Sequence, residues 1–373
     1  MKHRHTFSGK NDSLRTILFM NAANCTDCGA CARHCSFLKQ YGVPGQIARD
    51  LLSGQISKRM AFECSLCGLC DSVCPAHLSL ANMFLATRRQ GIETGEVSLN
   101  PYRAILGYEK RGHSRLFSFH GIPDQCDTVF FPGCTLPGTR PKTTWAFFQY
   151  LSQYIENLGV VLDCCHKPSH DLGRQGYFKQ KFGEIVDHLK GKGVRRVVVA
   201  CPNCHKVFRI YGRGLEVVTA YELIRTLGVV GSSSTPLDMN VTIHDPCPLR
   251  EEPAIHDSVR TIAGHMGVRI KERRNREKQT FCCGEGGSVP FVKPEFAMNW
   301  ARKSTEQGKG NTILTYCAGC AGFLSKHNNA IHLLDIVFFP KAVRTGTFKT
   351  TRPPFTYMQR LLLKRKFKKR LEG

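Results

Sequence analysis

Short apolar runs alternate with longer amphipathic stretches over most of this chain. "TVFFPGC" (128–134), "RRVVVACPNC" (195–204), "VTIHDPC" (241–247) and "NTILTYCAGC" (311–320) each begin as a compact apolar strand and end at cysteine. Helical spacing predicts helices over 142–158, over a stretch before 195, over about 257–266 and over about 294–306. Alternating short buried strands and helices imply small α/β units with parallel sheets. Upstream the pattern changes. "YGVPGQIARDLLSGQISKRMAFE" places Ile47, Leu51, Leu52 and Ile56 at helical spacing, and "LSLANMFLATRRQG" predicts a second helix ending at Gly91. Neither contains a strong strand. At the far end, Pro353–Pro354 precede "FTYMQRLLLKRKFKKRL" (355–371), a modest amphipathic helix with Met358, Leu361, Leu362 and Leu371 on one broad face, interrupted by Arg365.

Cysteine usage changes the picture most: there are 19 in 373 residues. The basic N-terminus has only "ILFM" as an apolar stretch, too short for a signal peptide, and no run approaches a bilayer span. The expectation is a cytoplasmic chain, where so many thiols point to metal rather than disulfides. "CTDCGACARHC" (25–35) and "CSLCGLCDSVCP" (64–75) both read C-x2-C-x2-C-x3-C, the spacing of a protein with two [4Fe–4S] clusters. Zinc needs four ligands, usually as two separated pairs, and has no use for such closely spaced runs. Three thiols of each run serve one cube and the fourth crosses to the other. One set is therefore Cys25, Cys28, Cys31 and Cys74; the other is Cys64, Cys67, Cys70 and Cys35. Ser36 stands where proline usually follows the fourth cysteine, while Pro75 keeps that place in the second run.

The remaining chain is an internal repeat. Cys134, Cys164, Cys165, Cys201 and Cys204 recur in the same order as Cys247, Cys282, Cys283, Cys317 and Cys320. The cysteines follow the carboxyl ends of predicted strands, where open α/β sheets place ligands, so all ten are expected to converge with the copies facing each other. "GEGG" (284–287) reads as close backbone packing with amides directed at cluster sulfurs. Cys126 lies outside every motif and reads as a buried free thiol. His205 and His244, near the cysteines, are candidate proton donors, although ordinary hydrogen-bonded loop histidines are the simpler reading.

The first block resembles the all-helical ferredoxin domain of respiratory iron–sulfur subunits. The repeated C…CC(G)…C-x-x-C resembles the CCG domains of heterodisulfide reductase catalytic subunits, shared with iron–sulfur subunits of glycolate oxidase, lactate-utilisation and anaerobic glycerol-3-phosphate dehydrogenase systems. From about 20 to 340 the chain is most similar to the membrane-type heterodisulfide reductase catalytic subunit. The architecture implied is α+β and multidomain: a helical ferredoxin domain (1–100), two small Rossmann-like cysteine-rich domains (125–230 and 240–340) and a basic tail (341–373). The resemblance implies two cubane clusters and one or two clusters, of the non-cubane [4Fe–4S] type, on the two five-cysteine sets. His166 departs from it, standing where the first copy should have glycine. An extra ligand, a proton donor or a residue that merely fits are the three readings, and the last is taken.

Two functional readings follow. In one, electrons entering through the ferredoxin cubes reach the paired five-cysteine sets, which cleave a disulfide reductively. In the other, the chain relays electrons between a flavoprotein dehydrogenase and a quinone or membrane cytochrome b. No G-x-G-x-x-G follows a strand and no Walker A sequence is present, so flavin or nucleotide chemistry is assigned to a partner. Formal net charge is +24, and the last 33 residues hold eleven Lys/Arg against Glu372 alone. That tail suggests peripheral contact with the inner face of the cell membrane or an acidic redox subunit. No nucleic-acid motif accompanies the charge.

Overall fold

The computed structural model describes residues 13–229 and 237–373. The N-terminal basic residues 1–12, part of the stretch weighed as a signal peptide, lie outside the described residues.

The ferredoxin-like region is built from short helices, and both cysteine runs occupy the turns between them. Helix Leu14–Asn24 starts at Ser13, whose hydroxyl accepts from the Thr16 amide, and helix Pro44–Leu52 starts at a proline that has no amide to satisfy. Leu14, Leu18, Ile47 and Ala48 meet Leu80, Met83 and Phe84 of helix Leu80–Glu93 in one core. Two boundaries differ from expectation. The first helix ends at Leu52, because the chain turns through Gly54 at φ +74°, which leaves Ile56 half-buried in a loop. Gly91 does not end the second helix. It lies inside it, where an added Cβ would meet Val97 at 3.1 Å and Lys58 at 3.4 Å. Absence of a side chain, not helix termination, is its function.

Nine strands form two sheets. The first contains β1 (Phe119–Gly121), β2 (Thr128–Phe131), β3 (Gly159–Leu162), β4 (Arg196–Val199) and β5 (Glu216–Thr219) in the order β1-β3-β2-β4-β5. The second contains β6 (Asn240–His244), β7 (Arg269–Ile270), β8 (Thr312–Thr315) and β9 (Ala330–His332) in the order β7-β6-β8-β9. Without β1 the two orders coincide, strand for strand, so the repeat seen in the cysteines is a repeat of topology. Pairings are parallel throughout except β1 with β3, where Phe119 faces Leu162. The first sheet is therefore mixed rather than purely parallel. The helix expected over 142–158 spans Pro141–Leu151; the chain turns at Asn157 (φ +51°) and enters β3. β3 is "GVVL", buried along its whole length, and a four-residue apolar run carries no periodicity to reveal it.

The two copies share one core. Phe130, Phe147, Val160, Tyr221 and Ile224 from the first pack with Ile243, Ile255, Ile262, Leu333 and Ile336 from the second. Arg140 Nε donates to Asp335 Oδ2 at 2.7 Å and Thr143 to Oδ1 at 2.8 Å, both buried between copies. Tyr221 donates its hydroxyl proton toward the carbonyls of Ala200 (3.1 Å) and Tyr316 (2.6 Å), one in each copy.

The terminal helix forms over Phe355–Leu371 as expected, but with a different inner face. Thr356, Arg360, Leu363 and Phe367 are buried, whereas Met358 and Leu362 point outward. Phe367 stacks edge-on against Phe148 and lies against Trp145 of the first copy. Spacing alone places the apolar face where the leucines and Met358 are densest. The true contact recruits an arginine, whose stem can be buried as apolar surface.

Candidate iron–sulfur centres

Both ferredoxin-type runs turn in the same way. Asp27 and Gly29 in the first, Leu66 and Gly68 in the second, occupy matching places between cysteines and all have left-handed φ, between 49° and 70°. These kinks swing three thiols inward. The resulting hollows are lined in a crossed manner: Cys25, Cys28, Cys31 and Cys74 line one with Pro44 and Leu80, and Cys35, Cys64, Cys67 and Cys70 line the other with Phe84 and Trp300. Cys28 is exposed, so the first hollow is the one nearer solvent. Burial pushes the Cys31 thiol up to about 11 and Cys35 to about 12. Such thiols become thiolates only against a strong positive charge, which is what a bound iron cluster provides.

Cys134, Cys164, Cys165, Cys201, Cys247 and Cys317 lie just after the carboxyl ends of parallel strands, Cys204 and Cys320 in the first turn of the helices that follow, and Cys282 and Cys283 at the end of the longer loop after β7. In the first set Cys134 meets Cys164, and Cys204 meets both Cys165 and Cys201. In the second, Cys282 meets Cys247 and Cys283, and Cys320 meets Cys283 and Cys317. Two contacts join separate sets: Cys67 with Cys282, and Cys201 with Cys317. The second ferredoxin hollow and the two five-cysteine sets therefore form a series, and the first hollow is tied to the second by the crossed runs, which place Cys31 and Cys35, and Cys70 and Cys74, on opposite sides. Trp300 lines the second hollow and also packs with Phe281 and Cys282, filling the join with an aromatic ring. Cys126 is placed away from all of this, buried in the first copy's core with its thiol directed at Thr128 O.

The glycines of "GEGG" act at this join. The Gly284 amide donates to Cys282 Sγ at 3.3 Å. A Cβ on Gly286 would lie 2.7 Å from Ser65 O, and one on Gly287 2.6 Å from Cys64 O. The second copy thus presses bare backbone onto the ferredoxin run. Arg250 reinforces the contact, donating to Cys67 O and Lys278 O, each at 2.7 Å.

Each five-cysteine set also has one fully buried imidazole. His244 ends β6; its Nδ1 is 3.1 Å from Ser304 Oγ, and its ring also reaches the Cys283 thiol. His244, Cys283 and Cys320 offer ligand atoms within 4.8 Å of one another. His166 has φ +55°, the left-handed state that Gly284 adopts at the matching place. Its Nδ1 is 3.2 Å from Glu109 Oε1, and its Nε2 is unpartnered among the described residues. Glu109, Cys164 and His166 are a second such group. Beside them Asp163 accepts from the Cys164 amide at 2.6 Å. Although burial pushes the Asp163 carboxyl up, hydrogen bonds from His113 and His120 hold it down at about 2. His205 is buried in helix Pro202–Tyr211, and burial lowers it to about 4.

Three further residues carry no motif. Arg88 and Arg360 are buried arginines considered below. Glu285 lies against Gly319 with an exposed side chain; desolvation by the surrounding chain and the thiols of Cys283, Cys201 and Cys134 raise its carboxyl above the usual carboxylate range. Its signal was an acid inside an otherwise glycine-rich turn.

A crossed pair of four-thiol hollows joined to two facing five-thiol sets defines an electron-transfer iron–sulfur protein. The comparisons agree. The 4Fe-4S dicluster domain family matches residues 21–78, and the cysteine-rich domain family, CCG, matches 128–209 and 241–325. The D subunit of the dihydromethanophenazine:CoB–CoM heterodisulfide reductase of Methanosarcina barkeri is 23% identical over 88% of this chain and 94% of that protein. The B subunit of the fumarate reductase (CoM/CoB) of Methanothermobacter marburgensis is 24% identical over 79% of this chain and 66% of its own length. The EtfAB:quinone oxidoreductase of Syntrophomonas wolfei is 25% identical over 66% and 39% respectively. The chain is an electron-transfer iron–sulfur subunit with a 4Fe-4S dicluster domain followed by two CCG cysteine-rich domains. Its homologues are the D subunits of heterodisulfide reductases and related iron–sulfur oxidoreductases. No helix among the described residues is long and apolar enough to cross a membrane.

Proposed function

We propose that this chain is the disulfide-reducing component of a larger oxidoreductase. The observation that carries the reading is the thiol series: Cys67 against Cys282 and Cys201 against Cys317. Cys25, Cys28, Cys31 and Cys74 hold one cubane, and Cys35, Cys64, Cys67 and Cys70 the other. Cys134, Cys164, Cys165, Cys201 and Cys204, and Cys247, Cys282, Cys283, Cys317 and Cys320, each hold a non-cubane [4Fe–4S] cluster. When bound, the clusters supply one-electron transfer, and at the paired sets an iron able to take up thiolate sulfur. The protein's own contribution is order. Exposed Cys28 marks the entry side, and it is the thiols of the second copy, through Cys282, that meet those of the ferredoxin region at Cys67. Reduction of a disulfide R–S–S–R′ takes two electrons and two protons and releases RSH and R′SH. Two facing sets suit one sulfur at each; Glu285 lies among thiols of both, and His244 and His166 each adjoin the thiols of one.

The similarity to EtfAB:quinone oxidoreductase favours a second reading, a relay from a flavoprotein to a quinone-linked partner or a membrane cytochrome b. The two separate in one experiment. Anaerobically purified protein is expected to contain about sixteen irons and as many sulfides; a count near eight confines the clusters to the ferredoxin region. The reduced protein is expected to be reoxidised by disulfides with stoichiometric thiol release. Reoxidation by a quinone or flavoprotein alone, with no thiol, would establish the relay.

A cytoplasmic chain peripheral on the membrane's inner face is the location we propose. Phe355, Met358 and Leu362 project from the terminal helix among lysines and arginines, an arrangement suited to an anionic lipid surface. Deleting residues 353–373 would unpack Leu363 and Phe367, so the sharper test changes only the outer face. The double substitution Met358→Ser, Leu362→Ser is expected to lower cosedimentation with anionic vesicles several-fold at unchanged iron content; unchanged cosedimentation would remove the membrane from the proposal.

A further inference from the structure

Helix Phe355–Leu371 lies beyond the segments that the two domain families match. It is nevertheless built into the first cysteine copy. Leu363 and Phe367 enter that copy's core, and Lys364 Nζ donates to the carbonyls of Arg115 (2.6 Å) and Leu116 (3.0 Å). One turn earlier, Arg360 is only 2% exposed. Its Nη2 makes a long 3.4 Å hydrogen bond to Gly112 O, and its guanidinium lies 5.8 Å from the Phe117 ring centroid. Nη1 is buried with no hydrogen-bond partner, and no carboxylate forms an ion pair with Arg360 among the described residues. Glu109, on the neighbouring helix, is committed to Ser169 Oγ at 2.5 Å and to His166.

A buried, unpaired guanidinium is costly unless an anion balances it. The groups beside it are thiols. A Cβ on Gly112 would lie 3.4 Å from Arg360 Nη1 and 3.5 Å from Cys164 Cβ, so only the bare glycine backbone separates the arginine from the cysteine. Tyr108, on the same helix as Gly112, reaches Cys134 and Thr135 with its hydroxyl. Cys134 and Tyr108 both lie close enough to Arg360 to feel its charge.

We propose that Arg360 is the countercharge of the first five-cysteine set, a positioning residue that the basic tail delivers to the cluster held there and that raises its reduction potential. The inference rests on the reading that this set holds a cluster. A fixed positive charge favours the reduced, more negative state, and it acts strongly because the site is buried. The first set thereby becomes the better electron acceptor of the two facing sets, at the far end of the series from exposed Cys28. The tail's helix is then part of the redox machinery, and its outer face remains available for contacts elsewhere.

The test is an anaerobic redox titration of the full-length loaded protein, followed by electron paramagnetic resonance after an iron count. Arg360→Gln is expected to shift one cluster signal so that its reduced-to-oxidised ratio at the wild-type midpoint falls about tenfold, or about 59 mV for a one-electron couple. Arg360→Lys retains charge and is expected to recover most of that shift. Lys369→Gln, an exposed charge on the same helix, is expected to shift nothing. If Arg360→Gln does not load, Arg360→Lys still decides. Wild-type-like loading and potential support the charge role, whereas a fall of about tenfold in the same ratio for Arg360→Lys overturns it. All midpoints unchanged in a fully loaded Arg360→Gln also overturn it. A wild-type count near twelve irons, with the first set's signal missing, shows instead that the cluster reading has failed there, and the inference with it.

Discussion

Arg88→Met is expected to cause a larger loss of stability than any other single substitution away from the cysteines. Arg88 is completely buried, packed 5.0 Å from the Phe62 ring centroid, and donates to four backbone carbonyls. Nε reaches Ala61 O at 2.9 Å and Nη2 reaches Cys64 O at 2.5 Å, both in the ferredoxin region. Nη1 reaches Asp171 O at 2.8 Å in the first copy and Gly287 O at 2.9 Å in the second. One guanidinium thus fastens all three cysteine-bearing regions beside Cys64. Methionine would fill similar volume and leave those carbonyls without donors, at about 1–3 kcal/mol for each that water cannot reach. Arg88→Lys is expected to recover little, since a compact ammonium cannot fork toward four fixed acceptors. Anaerobic unfolding is the measurement, and a loss below about 1 kcal/mol would contradict the role. The ferredoxin region is expected to separate from the CCG domains at lower denaturant than the CCG domains themselves unfold.

The second large effect is expected at Gly284, where alanine should abolish loading of the second five-cysteine set and lower the iron count by about four. Its φ is +104°, and a Cβ would lie 2.4 Å from Ala297 O and 2.7 Å from Phe323 Cε1. The first obstacle is backbone in helix Pro294–Glu306, which cannot rotate away as a side chain could. Accommodating the methyl must displace Cys282 and Cys283 or that helix, and either moves ligands by more than a cluster tolerates. Iron analysis with spectroscopy of the remaining clusters measures the effect; full loading of Gly284→Ala would contradict it. His166 sharpens the contrast. It holds a left-handed conformation at the equivalent place, but its side chain enters a pocket beside Glu109, His113 and Tyr177. The same turn is needed in both copies. The absence of a side chain is needed only where helix Pro294–Glu306 crosses it.

Much of the site was legible because its determinants are local. Three cysteines at two-residue steps can serve one cube only if the intervening residues turn sharply, and Asp27, Gly29, Leu66 and Gly68 do so. The repeat was legible because its cysteines keep their order and their places after strands. β3 and β1 were missed for opposite reasons. β3 is too short and uniformly apolar to show a period, and β1 is a three-residue edge strand that exists only through its pairing with β3. The terminal helix was legible as a helix but not by face, since Arg360 counts as polar in any hydrophobic pattern.

By itself, then, the sequence determined the ferredoxin-type spacing, the duplicated five-cysteine order, the strands that precede Cys134, Cys201, Cys247 and Cys317, and the extent of the basic helix. Each is written in residues close along the chain. Tertiary structure alone decided that Cys67 meets Cys282, that Cys201 meets Cys317, that Arg88 ties three regions together and that Arg360 returns to the first set. These contacts join residues far apart along the chain, and Arg88 bonds only to backbone carbonyls, which every residue possesses. No side-chain pattern can announce such a partner; it is selected by which surfaces are left to pack once the local pieces have formed.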